Sequence, residues 1–175
     1  MIYLIRHAEK KDDGVHAQLT EKGLKDSFIF GKKLKKQNIQ IDKIITSPIE
    51  RCLQTAQEIV KGYDKQEITI EESNLLGDPG VFIQDDKKAM EIFETYKLVD
   101  IINMQLAHKK LDGFNSIEEG SRQLLEFIHN QKKNTIMISH DAIITPFIAY
   151  INNIKKIEIK DIVHYLQINI ISNKT

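Results

Sequence analysis

The first ten residues, MIYLIRHAEK (1–10), end a short apolar run on Arg6-His7. Residues 1–5 have the β-branched and aromatic content of a buried strand. A cation beside an imidazole then stands at the strand's carboxyl end. In open α/β sheets, ligands bind in the crevice beyond the carboxyl ends of the strands. The dipeptide therefore marks a candidate anion site, against the plainer alternative of a solvated strand end.

Similar runs recur downstream. Residues 42–46 (DKIIT) read as a second strand, 67–71 (EITIE) as a third, edge-like one, 134–139 (NTIMIS) as a central one, and 162–171 as the last. Helical patterns separate them. Thr20 caps a helix running to about residue 37, with Leu24, Phe28, Gly31 and Leu34 as its apolar stripe. Ser47-Pro48 reads as the N-cap and first-position pair of a helix ending near Gly62. One helical stretch covers residues 85–110, and Ser116 to Glu119 is a capping-box signature for a helix to about residue 131. After the fourth strand, Thr145-Pro146 offers a second possible helix start, which would make 141–144 a tight turn. Strands alternating with helices predict an α/β fold, a three-layer α/β/α sandwich around a mainly parallel sheet. Residues 1–175 read as a single domain, with a helical, lid-like insert at about 85–131.

The composition narrows the function. Lys+Arg and Asp+Glu are 25 each, so the chain lacks the basic excess expected of a nucleic-acid binder. No apolar segment approaches the roughly 20 residues that cross a bilayer. The apolar run before Arg6 is too short for a signal peptide, and Cys52 has no partner cysteine. The expectation is a cytoplasmic protein.

Two strands end alike. The first delivers Arg6-His7, the fourth His140-Asp141, and Arg51 follows the second. In a parallel sheet these ends share one edge, so two histidines and two arginines converge. A metal is one reading, because His is a common ligand, but two guanidinium groups would repel a cation. A phosphate pocket is the other, since guanidinium forks match phosphate oxygens. Within it, a His kept neutral by neighbouring cations could attack phosphorus.

Four blocks then carry a resemblance: LIRHAEK (4–10), LTEKG (19–23), TSPIERCLQTA (46–56) and MISHD (137–141). Together they resemble the histidine phosphatase superfamily, the phosphoglycerate-mutase-like group with an Arg-His-Gly/Ala start. The resemblance implies that His7 is the nucleophile and becomes a phosphohistidine. It implies that Arg6 and Arg51 clamp the phosphate, that His140 donates to the phosphoryl oxygens, and that no metal or other cofactor takes part. It spans most of the chain.

Two departures matter. Many members carry Ser-His-Gly at the fourth block, where this chain has Ser-His-Asp. Asp141 resembles the His-Asp pair of the acid-phosphatase branch and is the favoured proton donor, with Asp78 and Glu72, and more remotely Glu71, as rivals. Asp13 stands where the common type has Asn, and its carboxylate would repel a phosphate. Elsewhere, Ser47 could add a phosphate contact through nearby backbone amides, and Cys52 reads as a packing residue. His108, His129 and His164 carry no motif. Phe82, Phe93 and Tyr96 read as apolar core rather than lid.

The expectation is a phosphatase acting on a phosphorylated small molecule through a phosphohistidine on His7. The alternatives are a protein-phosphohistidine phosphatase, a non-catalytic phosphate-binding regulatory module and a phosphoglycerate-type mutase. Lys87, Lys88, Lys109 and Lys110 beside the presumed lid would suit multiply anionic esters, although exposed lysines are ordinary. The sequence does not indicate an oligomeric state.

Overall fold

The structure, a computed structural model, describes residues 1–12, 14, 16–65 and 67–171; Asp13 lies outside them. Among the described residues the elements run β1 (Ile2–Arg6), α1 (Glu21–Lys36), β2 (Lys43–Thr46), α2 (Glu50–Tyr63), β3 (Thr69–Glu72), α3 (Asp86–Thr95), α4 (Leu98–Leu106), α5 (Ile117–His129), β4 (Thr135–Ser139), α6 (Asp141–Ile151) and β5 (Ile168–Ile171). The sheet order is β3-β2-β4-β1-β5. The first four strands are mutually parallel, and β5 runs antiparallel against β1. Strand β4 is central and wholly buried, while β3 is an exposed edge.

The strand alternation splits the core. Ile5, Ile44, Ile136 and Ile138 point to a cluster completed by Leu34 of α1 and Cys52, Ala56 and Ile59 of α2. Ile2, Leu4, Ile45 and Met137 point the other way, against Ile102 of α4, Leu124 and Ile128 of α5, and Phe147 of α6. Helices thus cover both faces, which gives three layers.

The register fixes the site. Arg6 lies opposite Ser139, and Thr46 opposite Ile138. Beyond the strands, His7 N–H donates to the Ser139 carbonyl at 3.0 Å and Ser47 N–H to the Ile138 carbonyl at 3.0 Å. His7, Ser47 and His140 therefore leave the sheet at one level.

Several local expectations need correction. The buried line of α1 is Gly23, Ser27, Gly31 and Leu34, not the Leu24–Phe28 stripe. Small residues win because α2 approaches too closely for large ones. A Cβ on Gly31 would stand 2.2 Å from the Ile59 carbonyl oxygen, and one on Gly62 would stand 1.9 Å from that of Phe28. The N-cap of α2 is Ile49, because Ser47 turns inward and its Oγ accepts from Ile49 N–H instead.

The stretch 85–110 breaks at extended Tyr96 and Lys97 into α3 and α4. Helix α3 buries Ala89 while α4 buries Ile101, Ile102, Gln105 and Leu106, and one straight helix does not present both sets. Ser116 caps α5 by accepting from Glu119 N–H, but the Glu119 carboxylate turns to Arg122 and Gln123 rather than closing the box. Helix α6 begins at Asp141, directly after the strand, and holds Pro146 inside it. The third strand starts at Thr69 and the fifth at Ile168, later than the sequence pattern suggests. Before β5, residues 162–167 fold across the end of β1, where Leu166 N–H donates to the Arg6 carbonyl at 3.0 Å.

The glycine contact between α1 and α2 is testable. Gly62→Ala should lower stability by about 2 kcal/mol, even though Ala is the better helix former by about 1 kcal/mol, because backbones must separate. Urea unfolding measures it, and a stabilised variant would show that the helices do not meet backbone to backbone.

Candidate active site

His7 is buried, and its Nδ1 lies 2.7 Å from the Ala8 carbonyl oxygen. A carbonyl only accepts, so Nδ1 carries the proton and Nε2 carries the lone pair. Arg51 Nε–H donates to that Nε2 at 3.1 Å. The next nitrogen of the same guanidinium, Nη2, donates to His140 Nδ1 at 3.1 Å. His140 therefore holds its proton on Nε2, which points to Ser47 Oγ at 3.0 Å and lies 3.6 Å from Cys52 Sγ. The two imidazole centroids are 5.3 Å apart. One guanidinium thus bridges both rings and fixes both tautomers.

The backbone behind them leaves no slack. Ala8 N–H donates to Thr55 Oγ1 at 3.1 Å, which donates to the Arg51 carbonyl at 2.7 Å, tying β1 to the first turns of α2. Gly77, at φ 144°, backs onto His140: a Cβ there would stand 2.6 Å from Nε2 and 2.7 Å from Ser47 Oγ.

Burial disfavours charge on the imidazoles. His7 is pushed down to about 3, chiefly by burial, with Arg51 and Arg6 adding repulsion against the pull of the Ala8 carbonyl. His140 is held well below its ordinary value, again by burial first and then by Arg51. Both rings are neutral at neutral pH, so His7 Nε2 presents a lone pair with no proton to be removed first. Burial pushes the Cys52 thiol up to about 12, which makes it inert.

Arg6 is held on several sides. Its Nη1 donates to the Val163 carbonyl at 2.9 Å, Nη2 pairs with Asp141 Oδ2 at 2.7 Å, and the guanidinium carbon lies 4.3 Å from the Tyr165 ring centroid. Its Nε is buried without a hydrogen-bond partner. A buried unpaired donor costs about 1–3 kcal/mol, so its persistence marks a place for an acceptor.

The expected residues mostly meet. Arg6, His7, Arg51, His140 and Asp141 form one contiguous group. Asp78 lines a cleft of about 180 Å³ together with Arg51, His140 and Asp141. Glu72 is exposed on β3 and is not part of that lining, and Glu71 pairs with Lys43 at 3.1 Å. His129 and His164 are exposed, and exposed His108 pairs with Glu118. Phe82 is core as expected, whereas Tyr96 is exposed and Phe93 lines the cleft. Among the described residues no three His, Cys, Asp or Glu side chains come together to hold a metal ion.

Sequence reasoning missed the Arg6 support from Val163 and Tyr165, whose ring centroid is also 5.7 Å from that of His7. The contact spans 157 residues and carries no local motif. It also missed Gly77, although the Gly-Asp-Pro-Gly run at 77–80 has the composition of a loop.

Known proteins share this arrangement of sequence and fold. The family model for the histidine phosphatase superfamily (branch 1) matches residues 2–174. A relative from Drosophila ananassae, the mitochondrial serine/threonine-protein phosphatase Pgam5, is 40% identical over 73 residues. That match covers 38% of this chain and 25% of the relative, so it spans a quarter of the relative's length. Among solved structures, YhfR of Bacillus stearothermophilus superposes with a TM-score of 0.60 at 21% identity, over 87% of this chain and 79% of that one. The phosphoglycerate mutase of Bacillus anthracis str. Sterne gives 0.59 at 18% identity, over the same shares of 87% and 79%. At these identities the structures speak for the fold alone. Among the described residues, no helix is long and apolar enough to cross a membrane.

The neutral imidazoles make stability depend on pH. The folded value of His7, about 3, lies below the unfolded value of about 6.5, so the unfolded chain binds the extra proton. Its contribution is complete above pH 6.5 and is lost as the pH falls towards 3. By pH 5 the loss from His7 reaches about 2 kcal/mol. Urea unfolding between pH 6.5 and 5 should show wild type losing stability on acidification and His7→Gln losing less. Parallel curves would refute the neutral buried state.

Proposed function

The chain belongs to the histidine phosphatase superfamily, and from that membership we propose that it is a metal-independent phosphatase that hydrolyses phosphate monoesters through a phosphohistidine on His7. The observation that carries the reading is the guanidinium of Arg51 bridging His7 Nε2 and His140 Nδ1, beside an Arg6 Nε that is buried without a partner. Guanidinium donors of this kind suit a tetrahedral dianion.

A bound phosphoryl group takes over the donors that Arg51 spends on the imidazoles, and this frees the His7 lone pair. Nε2 then attacks phosphorus, forming the P–N bond as the P–O bond to the leaving group breaks. Arg6, Arg51 and His140 hold the nonbridging oxygens, where charge stabilisation supplies most of the catalysis of phosphoryl transfer. The leaving oxygen takes its proton from Asp141, which stands beside Arg6, with Asp78 as the rival across the cleft. Water next attacks phosphorus, the same carboxylate removes its proton, and the P–N bond breaks to release inorganic phosphate. Glu72, exposed and outside the cleft lining, is the weakest donor of the three. Of the segment read as lid-like, α3 supplies Phe93 to the cleft, whereas α4 and α5 pack on the sheet as part of the sandwich.

A second reading, a protein phosphatase, is favoured by the local 40% identity to a protein named as a serine/threonine-protein phosphatase. Phosphopeptides therefore belong in the assay beside small esters. A phosphate-binding module without turnover, and a mutase, stand as the outcomes that the assay rejects or reveals.

With EDTA present, wild type should hydrolyse simple monoesters, and His7→Gln should fall to background. A brief reaction with labelled ester should leave acid-labile phosphate on wild type alone. Asp141→Asn should cost about 100-fold on alkyl esters and much less on p-nitrophenyl phosphate, which needs no proton; the same pattern from Asp78→Asn would move the role there. Equal turnover by wild type and His7→Gln would end the nucleophile assignment.

A further inference from the structure

The cleft beside the phosphate cage has one apolar side. Ile49, Pro79, Ile83, Phe93, Phe114 and Ile143 line it. Phe93 and Phe114 face each other with centroids 5.5 Å apart, tilted by 54°. These rings are anchored, because Phe114 belongs to a small core with Ala89 and Ile101, packed by Ile83, Ile92 and Met104. Ile83 and Phe114 are further joined by an isolated backbone bridge. An apolar wall held in this way is a preformed surface for an apolar ligand group.

The charges around the cleft point the same way. Its charged residues are Arg51, Asp78 and Asp141. Arg51 is committed to the phosphate and Asp141 to Arg6, so Asp78 is the charged lining residue left to face whatever else enters. Lys87, Lys88, Lys109 and Lys110 are absent from the lining. Lys109 and Lys110 instead line a different cavity of about 300 Å³, which shares only Phe114 with the cleft. The expectation that these lysines favour multiply anionic esters is thereby corrected. A second phosphate or a carboxylate on the leaving group would meet acidic and apolar atoms.

We infer that the substrates are monoesters carrying a single phosphate on an apolar, ring-bearing leaving group that packs against the surface formed by Phe93, Phe114 and Ile83. The inference rests on the phosphatase reading and names the substrate class of the same site. A volume of about 180 Å³ lies below the roughly 300–1,000 Å³ of drug-sized pockets, so the group is about one or two rings in size.

The test separates apolar contact from leaving-group acidity by using alcohols of similar pKa. The esters 2-phenylethyl phosphate, glycerol 3-phosphate and 3-phosphoglycerate are compared by kcat/KM. The phenylethyl ester should lead glycerol 3-phosphate by about 30-fold, within the range that a hydrophobic pocket provides, and should lead 3-phosphoglycerate by more. Phe93→Ala, a change at a partly exposed position, should reduce the first ratio at least fivefold, while Phe93→Leu should retain most of it. Asp78→Asn should narrow the gap to 3-phosphoglycerate. Turnover of all three with no preference, or with 3-phosphoglycerate ahead, overturns the substrate class and leaves the phosphatase reading intact. No turnover of these esters or of phosphopeptides overturns both.

Discussion

A single guanidinium between two imidazoles organises this molecule. Arg51 can only donate, so each ring nitrogen it faces must bear a lone pair, and each opposite nitrogen must bear a proton. The Ala8 carbonyl and Ser47 Oγ are placed to receive those protons. Tautomer, ring orientation and neutrality then follow from geometry rather than from pH. The arrangement tolerates burial because neither ring is charged and the cation keeps a solvent-facing side.

Everything else in the fold serves to put that guanidinium where it is. Helix α2 brings Arg51, and α2 sits deep because glycines on it and on α1 permit backbone contact. The sheet brings the histidines, since β1 and β4 are neighbours with Arg6 opposite Ser139. The loop after β3 brings Gly77, the residue type without a side chain to collide with His140. Stability and site geometry are here the same set of contacts.

Much of this was legible in the sequence. Strand periodicity and the shared polar ends of strands one and four gave the sheet edge, and the order of four short blocks gave the family. What stayed hidden depended on long-range packing. The α1 stripe looked like Leu24 and Phe28 because hydrophobicity says nothing about how near a neighbouring helix will come. Ser47 carried every sign of a helix cap, but a cap and a hydrogen-bond partner for His140 need the same hydroxyl, and tertiary context chose. The break at Tyr96 and the role of Tyr165 had no local signal, because each is decided by what the segment packs against. Asp78 and Asp141 were both legible as acids, and only the structure placed both in the cleft lining and Glu72 outside it.

The turn at 162–167 closes over Arg6 from the far end of the chain. During synthesis the ribosome makes His7 long before it makes Tyr165. Until the later segment emerges, β1 has an open edge where β5 will pair, and Arg6 lacks the Val163 carbonyl and the Tyr165 ring. The contacts that steady Arg6 are thus completed only once residue 165 has been made, so a chain stalled before that point carries His7 without the groups that hold its neighbour.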